Sequence, residues 1–367
     1  MAVTNDFATA LLDLVTDIVS ADNVEFSQSI FQKTFMHEGL AATHEVITGV
    51  RSGGTIPIVL RTPNPDSFPF VSDANCDNAD CDVPLEFSGK QWELGLIKCR
   101  VPICMNSFNE NFLRYFNVWK NTHADESTDN ALVNYIMEVF TQNLILSSWR
   151  AAWFGDKNSI SSYYDGIDGF FVQAEAGGGT VIDITQNAQA TYPLQLSTLT
   201  GEDVYEYLDQ MYQEASTKAW FDPSILMYKV TKTMGAKLVA WLNQNADNGV
   251  GCECINPDNV AAGRRFTLNN VSFYGIPVHV EGAWDDIINY SAELNGGGGN
   301  NARTCPHRAI LTYRENLLIG TNSMDSLEAL KLWYSQDDDK IYMRGSAYIG
   351  ASIPLDDYVL AACVSTT

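Results

Sequence analysis

The chain has 367 residues, 46% of them hydrophobic and 11% aromatic, which excludes a disordered polypeptide and leaves room for roughly two or three domains. Its 22 Lys and Arg against 45 Asp and Glu give a net charge of −23, and Arg264-Arg265 is the one adjacent basic pair, which excludes a surface built to grip nucleic acid by displacing counterions. No apolar run reaches the length that crosses a bilayer, and MAVTNDFATALLDL has neither a basic flank nor a small-residue cleavage site, so a soluble chain made in the cytoplasm is expected.

In chain order, the pattern predicts a short amphipathic helix over residues 7–19, with Leu11, Leu14, Val15 and Ile18 on one side, and another over 26–35. Residues 48–104 then carry six of the 12 prolines, strand-like pieces at 55–60 and 91–104, and the polar tip SDANCDNADCD between them. This segment has no continuous hydrophobic face, so it reads as a long two-stranded arm stabilised on a partner surface, such as another copy of the chain. An aromatic stretch at 108–120 leads into the longest helical signal, residues 127–156. There Leu132, Ile136, Phe140 and Leu144 repeat at four-residue spacing, Val133, Met137, Trp149 and Trp153 widen the stripe, and Asn134, Glu138, Gln142 and Asn143 form the polar side. Ser127 or Thr128 suits the cap and Gly155 the stop, giving a spine of roughly 40 Å.

Beyond the spine, YYDGIDGFFVQ reads as a turn and a strand. A helix is predicted over 201–218 with Val204, Leu208 and Met211 inward, a strand over 225–230, and a helix over 232–243 capped by Thr231. Strands are predicted over 265–280, 307–319, 328–335, 340–353 and 358–364, which makes the chain α+β, with no internal repeat.

The motifs of chemistry are sparse. There is no G-x-S-x-G elbow, P-loop, H-E-x-x-H or strand-borne G-x-G-x-x-G, and the glycine runs at 177–179 and 296–299 read as surface loops. Asp73, Asn75 and Asp77 have the spacing of the first three ligands of a calcium loop, but Asn78 replaces the turn glycine and Pro84 the closing Glu, so a solvated loop tip is favoured over a metal site. Cys252-x-Cys254, with Cys305 and His307 far away, is weak evidence for zinc. His37-Glu38 and His44-Glu45 read as surface pairs, and Asp285-Asp286 and Asp356-Asp357 as coincidences among 45 carboxylates. The eight cysteines, which also include Cys99, Cys104 and Cys363, are too irregular for a disulfide scaffold; Cys76 with Cys81 is the pair expected to oxidise first. No cofactor and no enzymatic activity are expected.

The order of segments, together with KQWELGLIKCRVPICMNSFNENFLRYF, SSWRAAWFGD, SILMYKVTKTMGAKLVAWL, VSFYGIPVHVEGAWDDII, HRAILTYRENLLIGT and LEALKLWYSQDDDKIYMRGSAYIGASIP, resembles the HK97-type major capsid protein of tailed bacteriophages, over nearly the whole chain. The GIPV, RAILT and NLLIGT pieces are similar to capsid proteins of the crAss-like phages of gut Bacteroidota. The resemblance implies an N-terminal arm (1–47), an extended E-loop (48–104), a P-domain holding the spine (105–165), an A-domain (166–325) and terminal strands rejoining the P-domain (326–367). It implies self-assembly into hexamers and pentamers of an icosahedral shell around double-stranded DNA, bound without sequence specificity and without a membrane, with portal, scaffolding or decoration proteins as partners. It places the chain in the virion capsid, assembled in the bacterial cytoplasm, with a separate scaffold or none. Phe68, Phe70, Phe87, Trp92 and Trp153 are the self-association candidates. Lys90 and Lys98 lie in the arm, but no partner for a covalent cross-link is identifiable. A decoration or tail component and a metal-dependent hydrolase are the rival readings; the coreless arm beside a long spine favours neither.

Overall fold

A computed structural model describes residues 43–61, 85–104, 128–177, 180–218, 220–247, 266–294, 301–322, 328–335 and 340–363. The predicted N-terminal helices over 7–19 and 26–35 and the aromatic stretch 108–120 lie outside them. In chain order the elements are β1 (Glu45–Thr48), β2 (Thr55–Arg61), β3 (Leu85–Gln91), β4 (Gly95–Cys104), α1 (Thr128–Phe154), α2 (Phe170–Ala176), β5 (Thr180–Asp183), α3 (Tyr192–Thr198), α4 (Gly201–Ser216), β6 (Leu226–Thr231) and α5 (Lys232–Asp247). They continue with β7 (Ser272–Phe273), β8 (Ile276–Glu281), α6 (Gly282–Tyr290), β9 (Ala309–Tyr313), β10 (Leu318–Thr321), β11 (Glu328–Ser335), β12 (Lys340–Ser352) and β13 (Leu360–Cys363). The chain divides into two compact units: Met1–Arg51, Leu94–Val172 and Leu318–Ala351 form the first, and Ser52–Glu93, Gln173–Leu317 and Ser352–Thr367 the second.

The first unit is organised on β12, the 13-residue strand predicted over 340–353. It pairs antiparallel with β11 and with β4, from Lys340 opposite Cys104 to Ile349 opposite Gly95. The sheet runs β1-β10-β12-β11 with β4 also on β12, and β1 lies parallel to β10 with Glu45 opposite Leu318. The expectation that 91–104 is the second strand of the arm is corrected here. The partner of β2 is β3, and β4 is a separate strand whose partner is β12. The physical reason is local: Trp92 bonds back to Gly53 and Gly54 and closes the hairpin ladder, after which the alternating run from Gly95 is free to take another neighbour. Residues 170–176 are likewise a helix and not a strand, because Phe170, Phe171 and Ala174 point inward at helical spacing and their burial overrides β-propensity.

The second unit is a six-stranded mixed sheet in the order β5-β13-β9-β6-β8-β7. Its central β6 is buried at all six positions, as a strand covered on both faces must be. The predicted 265–280 strand is instead β7 and β8, joined through Tyr274 (φ 50°) and Gly275 (φ 81°), the two positive-φ residues of a two-residue hairpin turn. The predicted 307–319 strand is broken by a turn at Arg314–Asn316 into β9 and β10. Packed on the sheet, α4 buries Val204, Leu208 and Met211, each 0% exposed, as the periodicity predicted, with each side chain contributing roughly 1.5–3 kcal/mol. A reciprocal capping box starts this helix: Thr200 Oγ1 accepts from the Asp203 amide at 3.1 Å and Asp203 Oδ2 accepts from the Thr200 amide at 2.7 Å.

Helix α5 is capped differently from expectation. Thr231 Oγ1 is buried without a hydrogen-bond partner, and the cap comes from Asp285 on α6, which accepts from the amides of Lys232 (2.6 Å) and Thr233 (3.2 Å) and from Thr233 Oγ1 (2.7 Å). Beneath it, Lys229 is 0% exposed and paired with Glu281 at 2.5 Å; burial holds its ammonium below the usual lysine range while the Glu281 charge opposes that drop.

Four carboxamides hold the irregular segments of this unit. Asn187 donates to the His307 carbonyl (2.8 Å) and accepts from the His307 amide (3.0 Å), and Gln195 does the same with Arg303 (2.9 and 2.9 Å). Asn243 clasps Phe266 (3.1 and 2.8 Å), and Asn316 clasps Leu355 (3.0 and 2.9 Å). His307 is fully buried, with Nε2 bonded to the Gln195 carbonyl at 2.9 Å and Nδ1 without a partner.

Replacing Asp285 with Ala removes the α5 cap and is expected to lower unfolding stability by about 1–2 kcal/mol, whereas Thr231→Val is neutral or stabilises by up to about 1 kcal/mol; urea titration of both checks the assignment. Burial pushes the His307 imidazole below its usual value, against the opposing pull of the Gln195 carbonyl and Asp285. The unfolded chain therefore binds a proton near pH 6.5 that the folded chain refuses. Its contribution is complete above about pH 6.5 and is lost as the pH falls through the folded value, and urea midpoints measured between pH 7.5 and 5 should decline less steeply in His307→Gln.

Candidate functional site: a spine face and an anchored arm

The spine α1 spans 27 residues and ends where Gly155 and Gly169 allow the chain to double back. The Gly169 amide bonds the Gly155 carbonyl at 2.8 Å, and a Cβ on Gly169 would meet the Trp153 carbonyl at 2.8 Å. Near this end one face is consumed by the chain itself. Trp153, 0% exposed, packs on Phe170 (4.8 Å between ring centroids), Phe171 (5.1 Å), His44 (5.4 Å) and Trp149 (6.5 Å). That enclosure corrects the expectation that Trp153 meets a neighbouring subunit, because its ring has no face left over.

His44 is corrected too. It is fully buried, stacked on Phe170 at 5.6 Å and edge-on to both tryptophans, with Nδ1 3.0 Å from Thr43 Oγ1. A sequence of isolated polar letters beside a strand does not reveal an aromatic box formed by residues more than a hundred positions away. The opposite face of α1 shows Glu138, Gln142 and Asn143, as predicted, but also Val139 (38% exposed) and Leu146 (42%). Leu132, Val133, Ile136 and Met137 lie outside the described side chains.

Beside this face an open groove of about 610 Å³ runs between α1, β4 and the loop 162–167, with Leu96, Lys98, Arg100, Asn143, Arg150 and Tyr163 on its walls. Among the described residues that line it, Lys98, Arg100 and Arg150 stand against Asp165. Arg100 sits 4.2 Å over the Tyr342 ring, and Arg150 lies 5.1 Å from the Tyr163 ring centre with Nε lacking a hydrogen-bond partner. Aromatic faces hold a guanidinium in place without neutralising it. Such a groove suits a partner that carries both carboxylates and apolar side chains.

In the second unit, β2 and β3 pair from Thr55 opposite Gln91 to Arg61 opposite Leu85. At the root of this arm the Gly53 amide donates to the Trp92 carbonyl and the Trp92 amide to the Gly54 carbonyl, each at 2.8 Å. Lys90 Nζ then bonds the Ile353 carbonyl (2.8 Å) and Asp356 Oδ1 (2.9 Å), fastening the hairpin to the segment before β13. Half exposed, this ion pair is worth under about 1 kcal/mol, so it orients the arm more than it stabilises the unit. Trp92, one of the self-association candidates, is 5% exposed within the single chain. Phe87 stands opposite Val59 in the hairpin, while Phe68, Phe70, Asp73, Asn75, Asp77, Cys76, Cys81, His37, Cys252 and Cys254 fall outside the described residues.

Of the acidic pairs, Asp285 and Asp356 have structural partners, one capping a helix and one holding Lys90. Among the described residues no three His, Cys, Asp or Glu side chains gather as a metal site, and no helix is long and apolar enough to cross a membrane.

No protein-family model and no curated protein matches the chain. Solved structures do. A chain in the structure of Gordonia phage Cozz superposes with a TM-score of 0.51 at 11% identity, covering 89% of this chain and 86% of that one. A chain in the satellite phage P4 procapsid including size determination (Sid) protein gives 0.50 at 12% identity, covering 91% and 88%. The fold is HK97-like. At such identities, what the HK97-like chains share is the path of the backbone and not their surface residues, so the groove and the arm root are features of this chain's own sequence.

Trp153→Ala should cost about 3–5 kcal/mol of unfolding stability, as expected for an enclosed aromatic, whereas Leu146→Ser on the exposed face should change it by less than about 0.5 kcal/mol; denaturant midpoints of the two variants test which face is which.

Proposed function

We propose that the chain is a major capsid protein, a shell subunit that self-assembles into hexamers and pentamers of an icosahedral capsid enclosing double-stranded DNA. The observation that carries this reading is the HK97-like fold running through about nine-tenths of the chain, 89% and 91% in the two superpositions. The anchored arm, the exposed apolar residues of α1 and the groove beside them supply surfaces for heterologous contacts that close into rings. Such contacts gain strength as more of them form, so stability is shared across the lattice.

On this reading the chain is structural and not an enzyme. It belongs to the virion capsid, is assembled in the bacterial cytoplasm, and meets portal, scaffolding or decoration proteins there. It contacts DNA without reading sequence, and its net charge of −23 keeps packaged DNA from adhering wherever acidic residues line the wall. We place it among the crAss-like phages on the GIPV, RAILT and NLLIGT pieces. The extents 105–165 for the spine-bearing domain and 166–325 for the A-domain belong to the same proposal, with the E-loop shortened from 48–104 to end before β4.

Negative-stain electron microscopy of the purified full chain tests it. Uniform polyhedral shells, or rings of five and six, are expected; discrete small oligomers with hydrolase activity would overturn it. Because like-charged subunits repel, light scattering should rise on adding salt or a divalent cation, and a steady fall with ionic strength would contradict the role given to charge.

A further inference from the structure

In the second unit two thiols meet that no strand or helix requires. Cys363 closes β13 and is 1% exposed, Cys305 lies on the loop before β9 and is 8% exposed, and neither is bridged. Cys363 Sγ donates to Glu175 Oε1 at 3.0 Å, and the side chain that acts most strongly on the Cys363 thiol is Cys305.

Backbone contacts fix this meeting from each side. The strand carrying Cys363 pairs antiparallel with β9, with Ala362 opposite Ala309, and the Cys363 carbonyl accepts from the Ile184 amide at 3.0 Å. The loop carrying Cys305 is clasped on both sides, Arg303 by Gln195 and His307 by Asn187, and Arg308 Nε donates to the Cys305 carbonyl at 3.0 Å. Cys305 itself is held at φ 43°, a left-handed conformation that residues with a side chain rarely adopt. A chain that keeps a cysteine in that conformation, on the loop beside the strand that carries a second buried thiol, holds the parts of a cross-link in one place.

We infer that Cys305 and Cys363 form an intramolecular disulfide site, reduced where the chain is made and closed by a small-molecule disulfide once the chain reaches an oxidising medium. The more exposed Cys305 loses its proton and attacks the small disulfide RSSR, forming a mixed disulfide and releasing one RS⁻. Cys363 passes its proton to the Glu175 carboxylate, its sulfur attacks Cys305 Sγ, and the second RS⁻ leaves. The two thiolates take up the two protons, so two protein thiols are oxidised and one RSSR becomes two RSH. Cys305, burial and the Glu175 charge all push the Cys363 thiol above its usual range, which leaves little thiolate and makes the pair slow to react until oxidant is supplied. The bridge then staples β13, which lies between β5 and β9, to the loop beside it.

The full chain is incubated with oxidised glutathione, alkylated with iodoacetamide, and digested with trypsin without reduction. The expected product is peptide 304–308 joined to peptide 345–367, two hydrogens lighter than the sum of the separate peptides and split by a reductant. Oxidation should also raise the melting temperature by roughly 5–10 °C, a rise lost in Cys363→Ala and kept in Cys76→Ala. Recovery of the two peptides separately, alkylated or each carrying glutathione, would overturn the inference.

Discussion

A buried backbone group needs a partner, and in the mixed-sheet unit that need is met where regular strands end by side-chain amides standing in for peptide groups. Each of Asn187, Gln195, Asn243 and Asn316 offers one donor and one acceptor to the amide and carbonyl of a single residue on another segment. An orphaned buried donor or acceptor costs about 1–3 kcal/mol, so without these clasps the loops entering β9 and β13 would have to move into water. Everything those loops carry depends on this: the placing of His307 against Gln195, the alignment of Cys305 with Cys363, and the position of the segment that receives Lys90.

The first unit solves a different problem. A long amphipathic helix must cover its apolar stripe, and the chain does so at the C-terminal end of α1 by enclosing Trp149 and Trp153 with His44, Phe170 and Phe171. Rings enclosed this way fix the helix in one rotation about its axis. The fixed rotation decides that Val139 and Leu146 face outward and that Arg150 reaches the groove, so the external surface is a by-product of internal packing. A face set by an aromatic core tolerates little rearrangement.

Period made much of this legible. The four-residue spacing of Phe140 and Leu144 and the inward trio of α4 each report one element's own burial, and each element stands where its pattern placed it. Partnership was not legible, because a strand's period says which side chains are covered and not by what. For that reason Gly95–Cys104 read as part of the arm when its ladder is with β12. Residues 170–173 read as the end of a strand, and 174–176 as a loop, because two phenylalanines and a valine carry β-propensity that only tertiary packing reverses. Helix α6 did leave a signal, Trp284, Ile287 and Ile288 at i, i+3 and i+4, that a search for longer helices passes over. The amide clasps, the cap from Asp285 and the box around His44 left none, since each joins residues distant in sequence through single contacts.

The ladder of the first unit also sets an order of events in time. Residue 45 pairs with residue 318, and residues 95–104 pair with 340–349, so neither half of that sheet can close early in synthesis. Pairing of this kind must wait for large loops to close and is slow compared with local helix formation. While the ribosome is still adding residues, α1 can form and shed its helix repeatedly but has no completed sheet to settle on. The strands over 318–351 are therefore what completes the sheet begun by residues 45–48 and 95–104, and a product that stops before them leaves that sheet unpaired.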